Sequence, residues 1–555
     1  MTPTMLVSRL IPHKTPLLKR IFHTMPKQFR AVSTVRQVEP HPNNRESIRP
    51  SHITTKGTLP KQSGSFSRPL GALEKMTESI SEVRGSTNRE HTAFFTIVQV
   101  RFPPTLTNME EYIASAWEEV GRQFPVLRAE ASPPNKSDSH KQPMITLKSW
   151  NESNFRTSFS AHPDCPNVDV LFSAPSPRRS TATCHWLPDP GQIVIRTSHW
   201  RTDGFGLVLL AEAFLSTLAN KLQTGLDVHL DNDLTEPPLT VPSTLEDLVQ
   251  MYVRGPQGEA SDADELAKIF VDGGRSIGFP TRPGADTAAP SVCGRAALRI
   301  DAENTANLVN ACRAQGVSVT SALNAAVIRT TARFPQDPGA DSYVFFAPVD
   351  LRGALIAAGA QGCSQPAGNY VSGMPLRIDG VAKQLENGDS MPSKSFGELA
   401  HELRAIYSQD ITRYKRPGEA GAKTLSLLQL TEPYIEKMTE LFSMFPSPGC
   451  PFPRTPVISS FGKMDALIKK EYCGSSDGAT DAPKLYVTDF WVSCDCATPM
   501  IIFNPYSWCG EFTLLAAWDD SYYSREFVID ILKKTIAELS EGLEMGQLPY
   551  RITTG

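Results

Sequence analysis

One histidine stands where its neighbours make it a candidate for proton transfer. His199 is followed by Trp200, Arg201 and Thr202, and then by Asp203 and Gly204. A His with Asp and Gly four and five positions on is expected by chance roughly 0.04 times in a chain of this size and average composition. The residue types suit a definite chemistry. A neutral imidazole, with an ordinary pKa of about 6.5, can take a proton from an alcohol as that alcohol attacks a thioester. To do so the ring must be held in one tautomer and one orientation. An Asp four residues on can bind a remote basic side chain and fix the loop, and Gly permits a tight backbone there. A purely structural histidine, capped by local backbone, fits the same six residues.

Other strings are weaker. Gly274-Arg275-Ser276-Ile277-Gly278 matches the G-x-S-x-G nucleophile elbow, which needs a strand before it and a helix after it. Phe279-Pro280-Thr281-Arg282-Pro283-Gly284 follows instead and cannot start a helix soon. His401-Glu402 lacks the second His of a zinc metalloprotease. Neither a P-loop nor a G-x-G-x-x-G string is present, so nucleotide hydrolysis and dinucleotide binding have no support. The ten cysteines include Cys494 and Cys496 as C-x-C but no C-x-x-C pair, so a metal site is not expected. They read as reduced, buried thiols of an intracellular protein.

The elements around His199 follow from hydrophobic pattern. Gln192–Thr197 is a strand by its β-branched content and runs straight into His199. Leu207–Leu222 is a long apolar helix. His199 thus sits in a strand-to-helix connection, where a rigid scaffold commonly holds reactive groups. Upstream, Ala93–Val100 reads as a strand, Met109–Arg122 as a helix and Phe124–Arg128 as a short exit into a further strand. Residues 255–294, rich in Gly, Pro, Asp and Ala, read as a crossover linker. Beyond it strands are expected at Ala296–Ile300, Tyr343–Val349, Val457–Ser460, Leu485–Trp491, Met500–Phe503 and Glu511–Trp518. Helices are expected at Glu303–Arg313, Thr320–Arg333, Ser395–Tyr407, Leu425–Phe442 and Ser524–Leu543.

With 555 residues, 40% of them hydrophobic, the chain can bury a large core and is too long for one ordinary domain. No apolar run looks long enough to span a bilayer. The net charge of −4 hides an asymmetry. Residues 1–36 carry seven basic residues and no acidic one, leaving 48 basic against 59 acidic residues beyond them. A body this acidic is a poor partner for nucleic acid, which needs clustered Lys and Arg. Residues 1–65 read as a tail. It is disordered, or a mitochondrial targeting segment with Leu6–Phe22 as a basic amphipathic helix, or an upstream extension of a chain that starts at Met25.

Several segments together resemble the BAHD and condensation-domain acyltransferase superfamily, which has the chloramphenicol-acetyltransferase fold. His199–Gly204 is similar to its H-x-x-x-D-G signature, Phe124–Arg128 to its hPxLR segment and Val349-Asp350-Leu351-Arg352 to V-[ND]-L-R. Gly368-Asn369-Tyr370 with Pro375 resembles the GN…P segment, and Ile458–Gly462 the SSxG strand. The nearest type is the fungal secondary-metabolism O-acetyltransferase, such as trichothecene 15-O-acetyltransferases. Two departures matter. The plant D-F-G-W-G string is absent, with Asp489-Phe490-Trp491-Val492 in roughly its place, and Ser198 replaces the first His of the peptide-forming H-H-x-x-x-D-G.

The resemblance implies a mixed α/β fold with two similar lobes and an active-site tunnel between them. The expected division is a tail at 1–65, a first lobe at 66–265, a linker at 266–294 and a second lobe at 295–555. It implies direct transfer from acyl-CoA, acetyl-CoA first, to a small-molecule alcohol, with His199 as base and no tightly bound cofactor. Ser459 and Ser460 become candidate oxyanion donors, a role typically worth about 3–4 kcal/mol. Asp203 becomes a structural residue paired with Arg352, Gly204 the residue that lets the loop turn, and Trp200 and Arg201 packing residues. A cytoplasmic monomer is expected. The alternatives are an amide-forming or carrier-protein-dependent condensation enzyme, and a catalytically silent binding protein of the same fold.

Overall fold

A computed structural model describes residues 65–81, 89–132, 143–148, 155–173, 180–226, 241–253, 259–271, 275–285, 288–360, 368–415, 421–445, 452–474 and 483–554. The expected tail at 1–65 lies outside them except for Ser65.

Two six-stranded sheets carry the molecule. In the first, the strands run in the order Glu471–Cys473, Lys484–Cys494, Phe94–Arg101, Gln192–Thr197, Thr183–Leu187 and Phe159–Ala161. In the second, Val457–Ile458 and Gly462–Lys463 both pair with Ile502–Trp508, which is followed by Glu511–Asp519, Cys293–Ile300 and Arg551–Thr554. The strand Lys484–Cys494 comes from the C-terminal half yet pairs antiparallel with Phe94–Arg101, Cys494 opposite Phe94. Phe95, Ile97 and Trp491 of the first sheet pack against Ala297 and Leu515 of the second, so the sheets meet face to face. The other face of the first sheet is covered by the helices Met109–Gln123 and Gly204–Thr224, and Val319–Ala332 and Arg525–Gly542 pack into the second core.

The strand that leads to His199 is the one read from the sequence, Gln192–Thr197, closed by a hairpin onto Thr183–Leu187. The helix after it is longer than its apolar run suggested and begins at Gly204. It is the one helix among the described residues long and apolar enough to cross a bilayer, which the sequence reading had discounted, and 89% of its most apolar window is buried in the protein. A core helix covered on all sides needs no polar face.

Two expectations are corrected. The region read as a linker contains the helix Ala260–Val271 and the strand Arg275–Ser276, which pairs parallel with Ala340–Asp350. Ala263, Leu266 and Ile269, at helical spacing, are buried in the C-terminal core and outweigh the surrounding Gly and Pro. The helix expected from Leu425 starts only at Thr431. Pro433 explains this: it fits a first helical turn but would break a helix interior. Phe124–Arg128 ends in a 3-10 turn, Pro125–Arg128, before the strand Glu130–Ser132.

Candidate active site

The backbone turns sharply after Thr197, with the Arg201 amide donating to the Ser198 carbonyl at 3.1 Å. The two middle side chains of this turn are anchored away from His199. Trp200 is buried with Leu70, Val126 and Ala129. The Arg201 guanidinium lies over the Trp200 ring at 4.2 Å and donates to the carbonyls of Ala129, at 2.9 Å, and Ser180. Packing was the role expected of both, and it leaves His199 as the side chain of this turn set against Phe94. The two rings meet edge to face, 4.6 Å between centroids.

Asp203 closes the turn. It is the N-cap of the helix Gly204–Thr224, its Oδ1 accepting from the Gly206 amide at 2.8 Å. A negative charge here also complements the positive end of the helix dipole. Arg352 reaches across from the C-terminal half, its Nη1 donating to Oδ1 at 3.1 Å and its Nη2 forming an ion-pair contact with Oδ2 at 2.9 Å. The Tyr370 amide adds a bond to Oδ2 at 2.8 Å. Both side chains are at most 2% exposed. Three hydrogen bonds and the ion-pair contact with Arg352 hold this carboxylate in place.

Arg352 follows the strand Ala340–Asp350 and is held there by Asp350, whose Oδ1 accepts from the guanidinium at 3.1 Å, and by the Gly368 carbonyl at 3.2 Å. Burial alone would lower its pKa, but the carboxylates of Asp203 and Asp350 more than reverse that, so it stays charged. The structure therefore brings together Val349–Arg352, Gly368–Tyr370 and His199–Gly204, segments that are far apart in the chain.

His199 itself is half-buried, with its Nδ1 fully enclosed. Nδ1 has no hydrogen-bond partner of good geometry among the described residues. Burial lowers the pKa of the ring, opposed by backbone groups of His199 and Thr202 and by the Asp203 charge. Loss of solvation disfavours the imidazolium, so the ring is the neutral, proton-accepting form near neutral pH.

Gly204 has a different role from the one expected. Its backbone is helical, with no positive φ, so the turn does not require glycine. A Cβ at this position would lie 2.8 Å from the Phe461 ring and 3.3 Å from that of Phe94, so the residue is small because two aromatic rings close on the helix start. Phe461 directly follows Ser459 and Ser460 in the chain. These serines occupy the break between Val457–Ile458 and Gly462–Lys463, opposite Pro505, which has no amide to offer a continuous strand. The Ser460 hydroxyl lies 3.3 Å from that of Thr320, and the buried Asn504 amide donates to the Ser459 carbonyl at 3.4 Å. Neither serine hydroxyl bonds to the His199 turn among the described residues.

Sequence reasoning missed three side chains here. Phe94 begins a strand that was read, but nothing local marked it as the wall against His199. Asn369 stood in a quoted segment without a role, and its Nδ2 donates to the His199 carbonyl at 3.3 Å. His91 is buried close by. Burial first, then the charge of Arg89, hold its pKa down to about 3, and its Nδ1 accepts from the Ala497 amide at 3.1 Å. The string at Gly274–Gly278 is no elbow: Ser276 ends a two-residue strand, and its hydroxyl accepts from the Val344 amide at 3.0 Å. Among the described residues no group of three His, Cys, Asp or Glu side chains is arranged to hold a metal ion.

Comparison with known proteins fits this geometry. A family described as phthiocerol/phthiodiolone dimycocerosyl transferase C-terminus matches residues 289–369, the stretch that holds Arg352 and Asn369. The chain is similar to the protein named loline biosynthesis cluster 1 transcription factor lolU1 of Epichloe uncinata. They share 24% identity over 513 residues, 89% of this chain and 98% of that protein. It is also similar to the acetyltransferase pigO of Monascus ruber, 24% identical over 484 residues, 85% of this chain and 96% of that one. Among solved structures, the TRI3 trichothecene 15-O-acetyltransferase from Fusarium sporotrichioides superposes with a TM-score of 0.64 at 17% identity, over 86% of this chain and 95% of that chain. The chain thus has the mixed α/β fold of the condensation-domain-like, chloramphenicol-acetyltransferase-like proteins. Along most of its length its sequence is similar to fungal acetyltransferases.

Proposed function

We propose that this chain is an acyl-CoA-dependent O-acyltransferase, acetyl-CoA being the first donor to test, that acylates a hydroxyl of a small secondary metabolite. The observation that carries the reading is the His199 turn. An imidazole kept neutral by burial is set in a loop whose one acidic neighbour is fully engaged by Arg352. Such a turn leaves the imidazole as its one base. The similarity to the fungal acetyltransferases pigO and pigM and to the trichothecene 15-O-acetyltransferase supports the same class.

In this reading His199 Nε2 takes the proton of the acceptor hydroxyl as its oxygen attacks the thioester carbonyl. The tetrahedral intermediate expels the CoA thiolate, which recovers the proton from the imidazolium. No acyl-enzyme forms. The donor for the oxyanion is assigned to Ser459 or Ser460, at the strand break beside Phe461. The two lobes at 66–265 and 295–555, a tunnel between them that admits CoA and alcohol from opposite sides, and action as a cytoplasmic monomer complete the proposal.

The test is thiol release from acetyl-CoA and longer acyl-CoA thioesters against a panel of terpenoid, polyketide and peptide alcohols. Acceptor-dependent CoA release with formation of the ester supports the reading. Product formed only from an acyl-carrier protein, or only with an amine, moves the chain to condensation chemistry. The name of the Epichloe relative favours a second reading, a regulator that binds DNA. Specific, salt-resistant retention of a DNA fragment by the purified chain, without acyl transfer, would establish it.

A further inference from the structure

The chain that enters the second sheet at Val457 stays extended as far as Phe461. The amides of Val457, Ser459 and Phe461 donate in turn to the carbonyls of Ile501, Phe503 and Pro505, at 2.9, 2.9 and 3.0 Å. In a continuous parallel ladder the Ser459 carbonyl would accept a bond in return from the amide at position 505. Pro505 stands there and has no N–H. The side chain of Asn504 supplies the donor instead, its Nδ2 bonding to the Ser459 carbonyl at 3.4 Å. Asn504 is wholly buried. A carbonyl oxygen only accepts, so this bond also fixes which way the amide is turned.

Side chains of an extended segment alternate between its two faces, so Ser459 and Ser460 point to opposite sides. Ser459 shares its face with Phe461. The Phe461 ring closes on Gly204 together with that of Phe94, the ring set against His199. Asn504 shares its own face with Ile502 and Tyr506, and both lie in one core with Phe461, Phe94 and the helix Gly204–Thr224. Ser460 shares its face with Ile458, which lies in the other core with the helix Val319–Ala332. The Ser460 hydroxyl is 3.3 Å from that of Thr320 in the first turn of that helix. Thr320 has no part in capping the helix, which Ser318 and Ser321 do between them.

We propose that Asn504 is a positioning residue for acyl transfer: it holds the Ser459 carbonyl where the ladder lacks an amide, so that the Ser459 hydroxyl, rather than that of Ser460, donates to the oxyanion. The proposal rests on the reading of the chain as an acyltransferase with His199 as base. A donor stabilises a developing oxyanion only if it is aimed before the charge appears. The Asn504 bond and the Phe461 amide pin the main chain on both sides of the Ser459–Ser460 peptide. Ser459 is thereby held on the face turned toward the His199 loop, while Ser460 meets Thr320 on the other.

The experiment measures CoA release from acetyl-CoA, with the best acceptor alcohol of the panel, by the unaltered full chain and its variants. Thermal melting checks folding, and Asn504→Leu, which fills the same space without a donor, carries the test if Asn504→Ala does not fold. Ser459→Ala is expected to lower kcat by about a hundredfold to a thousandfold, and Ser460→Ala by clearly less. Asn504→Ala should lower kcat by about tenfold, with KM for acetyl-CoA unchanged, as when a partner that orients a functional group is lost. Because it acts through Ser459, it should cost nothing further when added to Ser459→Ala. Pro505→Ala restores an amide at the break and should recover part of the rate in Asn504→Ala. An Asn504 that only supports the fold would lower the rate of Ser459→Ala by its own factor again. That result, a larger loss from Ser460→Ala than from Ser459→Ala, or an unchanged kcat in folded Asn504→Ala overturns the proposal and leaves acyl transfer standing. No acyl transfer by the unaltered chain to any alcohol of the panel overturns both.

Discussion

Replacing Asp203 by Asn separates the charge of this carboxylate from its capping role. Asn is as good an N-cap as Asp, so the bond to the Gly206 amide at 2.8 Å survives. What is lost is the anion opposite Arg352, at 2.9 Å and 3.1 Å, in a site where both side chains are at most 2% exposed. The new NH2 group also faces the Tyr370 amide, donor against donor. Breaking one side of a buried pair typically costs about 3–5 kcal/mol, because the partner stays buried and unpaired. Urea unfolding followed by tryptophan fluorescence should show Asp203→Asn destabilised by about that amount. Arg352→Met should be destabilised similarly. The double variant should fall short of the sum by a coupling of about 2–3 kcal/mol, as for residues in direct contact. The folded fraction carries a second signal. The Asp203 charge holds the His199 pKa up against burial, so its removal should move the acid limb of the rate profile to lower pH. A wild-type midpoint for Asp203→Asn, or strict additivity, would refute the pairing argument. An acid limb that moved to higher pH would refute the electrostatic one.

Two further predictions concern the same turn. Gly204→Ala puts a methyl group 2.8 Å from the Phe461 ring and should destabilise the fold by about 1–3 kcal/mol, with Phe461→Leu in the same chain restoring part of the loss on urea unfolding. A base works only while unprotonated, and burial lowers the His199 pKa, so activity should hold as pH falls through about 6.5 and decline only below it. A rate profile with its acid limb above pH 7 would contradict that assignment.

The local scaffold of the site was legible because its signals are local. Gln192–Thr197 was read to the residue from its β-branched run, and the apolar stretch after it marked the core helix. The strand Val371–Ile378 was not read, since Gly373 and Pro375 argue against a strand; it lies at a sheet edge, where proline is tolerated. Leu485–Trp491 was recognised as a strand, but the placement of the full strand Lys484–Cys494 in the first sheet depends on partners about 390 positions away, which no local pattern encodes. The same limit applied within the site. Asp203 and Arg352 were matched through a resemblance, and the structure places them in contact. Phe94, Phe461 and Asn369 were invisible as site residues because an ordinary hydrophobic or amide side chain acquires its meaning only from what folds against it.

The central claim is that His199 moves the acceptor's proton. The direct measurement is the rate of acceptor-dependent CoA release by His199→Ala, with melting and far-UV circular dichroism confirming the fold. Loss of a positioned general base should lower kcat by about a hundredfold to ten-thousandfold, with KM for acyl-CoA little changed. A correctly folded His199→Ala chain that releases CoA at close to the unaltered rate would contradict the account.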